Sequence, residues 1–305
     1  MKTRVLLLVL FFFFPLGGFA VTNSLLALAA PGLLMQDLHL TADSVPSVIS
    51  QEILPGATSD HISLTLGYPG FPPLRLFMSG PKGFWQSPVP RYPVIFLIAG
   101  FFTGAYNSLL LGEVDNTVMV SVDYPYEVSA MTQDPSKLLQ SFRLTPGVVA
   151  LALKWLSQQS WMRPEQSVAM GVSLGGLFLP AGLRLAQQMQ AAPPRAVFAF
   201  TGAEIKIILE NVLKGYLPAE ARGGLAEVVP ALNVLNDPRL HLPFLRGSFL
   251  VLAAAQDQLI PAQATQALYE LLPAQKSLRI LPGRHIDYDQ NVQIQQTKEA
   301  ILNWL

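Results

Sequence analysis

The chain contains no cysteine, which excludes disulfides, thiolate zinc sites, a cysteine nucleophile and lipidation at cysteine. This absence is compatible with an oxidising compartment. Charge is also scarce: Asp, Glu, Lys and Arg make up 13% of the 305 residues, against about 25% in typical soluble domains. Such a chain has an unusually apolar surface or works near a membrane. The formal net charge is zero, so nothing points to a nucleic acid or a strongly charged ligand as partner. Histidine occurs four times, which leaves few places for imidazole chemistry. No internal repeat or low-complexity tract follows residue 30. The length accommodates one large domain with a full core.

Lys2 and Arg4 precede an apolar run from Val5 to Phe14. A basic start and a short apolar stretch match a secretory signal. Small residues at Gly18-Phe-Ala20 and again at Ala27-Leu-Ala29 suit a signal peptidase. Pro15, Gly17, Gly18 and the polar Thr22-Asn-Ser24 break the run before the roughly 20 residues that span a bilayer. Residues 1–30 are therefore read as a cleaved signal, with a membrane anchor extended through Leu25 to Leu34 as the rival. The domain is expected to be periplasmic or secreted, or else held to the membrane by its N-terminus.

Residues 31–60, mixed and rich in Pro, Ser and Asp, read as an irregular lead-in. His61 to Gly67 alternates with period two, and Leu74 to Met78 follows a Pro/Gly turn, which predicts an antiparallel hairpin. Pro93–Ala99, Thr117–Val122, Ser167–Met170, Ala196–Phe200, Ser248–Ala253 and Ser277–Leu281 are short apolar runs, as strands buried on both faces should be. Helical patterns fall between them at about 147–159, 173–189, 262–272 and 291–305. This alternation predicts one α/β domain over residues 61–305, with a mostly parallel central sheet and helices on both faces. Residues 204–247 are too long for a simple connection and are read as a small lid.

Gly171-Val-Ser173-Leu-Gly175 fits G-x-S-x-G between a predicted strand and a predicted helix. A serine on that sharp turn projects its hydroxyl above the sheet, and glycines two positions away relieve the crowding. The N–H of Leu174, at the start of the helix, can stabilise an oxyanion. His285 follows the last predicted strand, at the sheet end where α/β folds present their chemistry, and is the preferred base. His241 precedes its strand and should lie at the wrong end. Asp257 follows an apolar strand and is the preferred acid, with Glu204 and Asp287 as rivals. The order Ser173, Asp257, His285 is that of an α/β-hydrolase triad.

From about residue 61 onward the chain resembles the α/β-hydrolase superfamily. The resemblance rests on Ile98-Ala-Gly-Phe101, Val122-Asp-Tyr-Pro125, Gly171 to Gly176, Ala255 to Pro261 and Pro282-Gly-Arg-His285. It implies a nucleophilic serine, a covalent acyl-enzyme and no metal or organic cofactor. It also implies an oxyanion amide in the loop after the third family strand, here that of Phe101 with Phe102 as fallback. Ala99 replaces the histidine usual in that loop, and Tyr124-Pro125 replaces the usual Arg-Gly, as in dienelactone-hydrolase-like and acetyl-esterase-like members. The expected function is hydrolysis of a small acyl substrate, a carboxylic ester with an apolar group. A thioesterase or peptidase on the same triad, or a non-catalytic binding protein with this fold, are the alternatives.

Overall fold

A computed structural model describes residues 19–305, except 57, 87, 101–103, 105–106, 213, 215–222 and 224–233. Among these residues, nine strands form one sheet in the order β1-β2-β3-β5-β4-β6-β7-β8-β9. The strands are β1 (Ser47–Pro55), β2 (Ser59–Gly67), β3 (Leu74–Pro81), β4 (Val94–Ile98), β5 (Val118–Val122), β6 (Val168–Val172), β7 (Arg195–Ala199), β8 (Ser248–Ala254) and β9 (Lys276–Leu281). The helices are α1 (Phe19–Asp37), α2 (Asn107–Leu111), α3 (Val128–Gln133), α4 (Pro135–Ser157), α5 (Leu174–Gln188), α6 (Ile205–Val212), α7 (Pro238–His241), α8 (Ala262–Leu271) and α9 (Asn291–Leu302). β1, β2, β3 and β5 pair antiparallel in succession, and every pairing from β5 to β9 is parallel.

The parallel strands β4, β5 and β6 are buried at every residue because helices cover both faces. Successive side chains of β4 enter opposite cores, as the period of two requires. Phe96 and Ile98 join Val149, Leu153 and Leu156 of α4 and Leu179 of α5. Ile95 and Leu97 join Leu111 of α2 and Ile294 and Ile301 of α9. From β4 the chain crosses one way to β5 and then returns past it to β6. That reversal leaves a crevice at the carboxyl ends of β4 and β6, where α/β sheets place their ligands.

Two readings of the sequence need correction. The segment 31–60 is not irregular, because it holds the end of α1 and all of β1. Every residue of β1 is exposed. With neither face buried, this edge strand has no apolar alternation to read. Likewise residue 30 is no boundary, since α1 runs through it and buries Ala27, Ala30 and Leu34. The first 18 residues, which hold the signal-like run, lie outside those described, as does most of 213–233 in the lid segment. Among the described residues no helix is long and apolar enough to cross a membrane.

Helix α4 starts twelve residues earlier than the pattern at 147 suggested, at Pro135, and contains Pro146. Asp134 caps it by accepting from the Ser136 N–H at 2.9 Å. Proline in a sequence reads as a helix start or stop. Here its local cost is met from outside the helix. Pro146 has no N–H to offer the Phe142 carbonyl, and the Asn236 side-chain amide donates to that oxygen at 2.8 Å instead.

Candidate active site

Ser173 occupies the single residue between β6 and α5, with φ 52° and ψ −122°. Positive φ is unfavourable for a residue with a Cβ, and such strain persists only when the surroundings over-determine it. The Ser173 N–H donates to the Ala199 carbonyl at 2.9 Å, and the Ser173 carbonyl accepts from the Gly176 N–H at 3.0 Å. A Cβ on Gly175 would stand 2.2 Å from the Ile98 carbonyl oxygen, and one on Gly171 would stand 2.7 Å from the Gly176 Cα. Only glycine lets the start of α5 come this close to the ends of β4 and β6. Leu174 is the first residue of α5, so its N–H is one that the helix leaves unbonded.

The elbow points the Ser173 hydroxyl at His285, with Oγ 2.8 Å from Nε2. The other ring nitrogen, Nδ1, lies 2.9 Å from Asp257 Oδ2 and 3.0 Å from Oδ1. A carboxylate can only accept, so Nδ1 carries the proton and the lone pair on Nε2 faces the serine. The Asp257 and His285 side chains are 7% and 11% exposed, which keeps competing water from most of this chain of contacts. Asp257 is oriented in turn by the N–H groups of Leu259 and Ile260, which donate to Oδ1 at 2.9 and 2.8 Å.

The two loops that carry Asp257 and His285 are tied together. The Ala255 N–H donates to the Leu281 carbonyl, and that of Gln256 to the Gly283 carbonyl at 2.9 Å. From the far side Gln293 of α9, itself buried, donates Nε2 to the Arg284 carbonyl at 2.5 Å, on the peptide that leads into His285. The Phe200 ring lies edge-on to the imidazole at 6.3 Å. Nothing in the sequence singled out Gln293 or Phe200: neither stands in a motif, and both act through the fold.

On the other side of Ser173, the buried Tyr124 donates its hydroxyl to the Ala99 carbonyl at 2.8 Å. Burial pushes its phenol well above the usual range, so it remains a donor. Tyr124 also stacks edge-on against Phe178 of α5, with ring centroids 6.3 Å apart. One side chain thus joins the loop root after β4 to the helix after Ser173. Phe101 and Phe102, the expected oxyanion donor and its fallback, lie outside the described residues.

The rival groups are placed elsewhere. Glu204 faces Arg239, with Oε2 3.4 Å from Nη1. Asp287 is exposed and accepts from the N–H of Tyr288. His241 is fully buried in α7 and donates Nε2 to the Leu235 carbonyl at 2.7 Å. Burial drives its pKa down to about 4, so at neutral pH it is uncharged. Among the described residues no group of three or more His, Asp or Glu is placed to hold a metal ion.

No protein-family model and no curated protein matches the chain. Its likeness is to solved structures. An acetyl xylan esterase from Paenibacillus sp. R4 superposes over 94% of this chain and 99% of its own, with TM-score 0.64 and 16% identity. Acetyl xylan esterase 1 from Thermoanaerobacterium sp. JW/SL YS485 covers 88% of this chain and 93% of its own, with TM-score 0.59 and 13% identity. A hyperthermophilic esterase from the archaeon Pyrobaculum calidifontis covers 93% and 92%, with TM-score 0.57 and 14% identity. A mostly parallel sheet in this strand order, a strained serine elbow after β6 and this likeness over nearly the whole chain lead to one conclusion: the protein has the α/β-hydrolase fold.

Proposed function

We propose that the protein is a serine hydrolase that cleaves a carboxylic ester through an acyl-enzyme, with Ser173 as nucleophile, His285 as base and Asp257 as its orienting acid. The observation that carries this reading is the unbroken contact from Ser173 Oγ through His285 to the Asp257 carboxylate, at 2.8 and 2.9 Å. His285 Nε2 takes the hydroxyl proton as Oγ bonds to the acyl carbon. Charge then develops on the carbonyl oxygen, where the Leu174 N–H and the expected Phe101 N–H would donate; removing one such donor costs about 3 kcal/mol. The tetrahedral intermediate collapses, the C–O bond to the alcohol breaks, and His285 returns the proton to the departing oxygen. Water enters by the same route and releases the acid. Asp257 keeps the proton on Nδ1 throughout and stabilises the imidazolium.

The esterase names of the structural neighbours favour an ester over an amide or thioester. The partly buried Leu174 beside the elbow favours an apolar group on the substrate. The N-terminal Lys2 and Arg4 followed by Val5 to Phe14 favour export of the domain to the periplasm or the medium.

A fluorophosphonate probe tests the nucleophile, followed by p-nitrophenyl esters of rising chain length. Wild type should be labelled at Ser173 and should turn over at least one ester of the series. Ser173→Ala should lose both, with a drop in kcat on the order of 10⁶ by the subtilisin precedent. Ester turnover within a few-fold of wild type in Ser173→Ala would remove Ser173 from the reaction.

A further inference from the structure

Asp257 presents a buried side chain from an exposed loop. Gln256, Gln258 and Leu259 around it are all exposed. A short exposed turn has few contacts of its own to hold one side chain in one place. The two donors that fix the carboxylate, the N–H groups of Leu259 and Ile260, belong to consecutive peptide units, Gln258–Leu259 and Leu259–Ile260. In a trans peptide the carbonyl points opposite to the N–H. Two peptides that aim their N–H groups at Asp257 Oδ1 therefore aim the carbonyls of Gln258 and Leu259 away from it.

Both carbonyls end on the same side chain. Asn211, in the last turn of α6, donates Nδ2 to the Gln258 carbonyl at 2.6 Å and to the Leu259 carbonyl at 3.1 Å. An amide nitrogen carries two hydrogens, and here two acceptors face it. Only this orientation of the amide fits, because turned over it would set its own oxygen against two carbonyl oxygens. The same two peptides are thus held at their oxygens by Asn211 and at their N–H groups by the carboxylate. Hydrogen bonds in series polarise one another, so each peptide becomes a better donor to Asp257.

Apolar packing seats α6 on the same loop. Ile260 is buried in a small cluster with Ile208 of α6 and Leu177 of α5, and the partly buried Leu174 packs against it. Ile208 and Asn211 are three residues apart, so one side of the helix makes both contacts. The segment between β7 and β8 therefore reaches the site through its first helix without supplying a reacting group.

With the Ser173, His285 and Asp257 triad as proposed above, we infer that Asn211 is its positioning residue: it holds the two peptides that hold Asp257, and through Asp257 the imidazole. In this role Asn211 exchanges no proton. Its loss strands no buried group, because Gln258 and Leu259 are exposed and water can replace the donor. The fold should barely feel the change, while the Asp257 carboxylate loses the frame that orients it.

A double-mutant cycle on the full chain tests the coupling, with Asn211→Leu, Asp257→Ala and the pair, read as kcat and KM on one p-nitrophenyl ester. Asn211→Leu keeps the bulk of the side chain and removes both donors. It should lower kcat about tenfold, by analogy with the outer hydrogen-bond partners of metal-holding side chains. KM should stay within about twofold, since the lost interaction serves the chemical step. The thermal midpoint should stay within about 2 °C. In the Asp257→Ala background no carboxylate remains to be positioned, so the same change should alter kcat by less than about twofold. Asn211→Ala, which adds no apolar bulk, gives the same comparison if the leucine packs badly. An equal loss of kcat in both backgrounds would overturn the inference, because Asn211 would then act on something other than Asp257. So would wild-type kcat in Asn211→Leu. Failure of the triad itself looks different: wild type would resist a fluorophosphonate probe, or Asp257→Ala would keep wild-type kcat, and the inference would fall with it.

Discussion

Asn236 donates its side-chain amide to the carbonyl of Phe142, the one oxygen that Pro146 leaves without an amide partner in α4. Phe142 in turn packs on Phe178 of the helix that follows Ser173, with ring centroids 5.3 Å apart. The short segment before α7 therefore repairs a proline break at the residue whose ring packs on the helix after Ser173. Asn236→Leu should destabilise the domain by about 1–2 kcal/mol, the cost of a buried carbonyl left unpaired. Pro146→Ala restores the missing N–H, so the same Asn236 change should cost less in that background. Urea denaturation of the four proteins measures the coupling. Equal costs in both backgrounds would show that Asn236 does not compensate for the proline.

Asp257 contacts the His285 imidazole while Glu204 faces Arg239, so the two should respond differently to neutralisation. Asp257→Asn should lower ester turnover by roughly four orders of magnitude at neutral pH, since the neutral amide no longer fixes the Nδ1–H tautomer. Glu204→Gln should stay within a few-fold of wild type, because Glu204 faces Arg239 and not the imidazole. Steady-state kinetics on one p-nitrophenyl ester decides it, and a reversed order of the two losses would reassign the acid.

His241 should make the fold sensitive to mild acid. Its folded pKa is depressed to about 4 by burial, followed by the repulsion of Arg184, against attraction from Asp237 and the bond to Leu235. Above its ordinary pKa of 6.5 the imidazole is neutral in both states and costs nothing. As pH falls below that value the unfolded chain takes up a proton that the folded protein refuses. Stability should then fall by on the order of 1 kcal/mol per pH unit until about pH 4. His241→Gln keeps a donor for the Leu235 carbonyl and removes the titration. Chemical denaturation at pH 7.5 and pH 5, each about one pH unit or more from the ordinary histidine value, should show a smaller loss in that variant. An identical loss would assign the acid sensitivity to other groups.

Processing of the N-terminus should favour one of the two small-residue sites. Cleavage after Ala20 removes only the first two residues of α1. Cleavage after Ala29 would strip away the buried Ala27 and expose the cluster under Leu240. N-terminal sequencing of the protein from its native host should therefore read Val21 first. A chain that starts at Ala30 would contradict the packing of α1, and one that starts at Met1 would favour a retained anchor.

Much of this molecule is legible from contiguous residues. Glycine spacing around Ser173, the apolar runs of β4 to β8 and the turn signals between them are local. They follow from backbone sterics and from the period of two that a sheet imposes. The hairpin β2–β3 could be read because one of its faces is buried. β1 could not, because an edge strand open on both faces has no reason to alternate. The long α4 was hidden for a different reason. Pro146 halts a helix in every local rule, and its repair comes from a residue 94 positions from Phe142.

The site divides along the same line. By itself the sequence determined which segments carry a hydroxyl, an imidazole and a carboxylate, and that each follows an apolar run. Only the tertiary structure decided that Ser173 and His285, 112 residues apart, lie in hydrogen-bonding contact. It also placed the two candidate carboxylates differently, Asp257 against the imidazole and Glu204 against Arg239. Glu204 follows β7 and Asp257 follows β8, and in sequence the two look alike. In the sheet, β8 is the direct neighbour of β9, which leads to His285, while β7 is one strand further away. Each strand adds about 4.8 Å, and Glu204 is engaged by Arg239 instead. Strand order arises from long-range pairing, and no local pattern of residues encodes it.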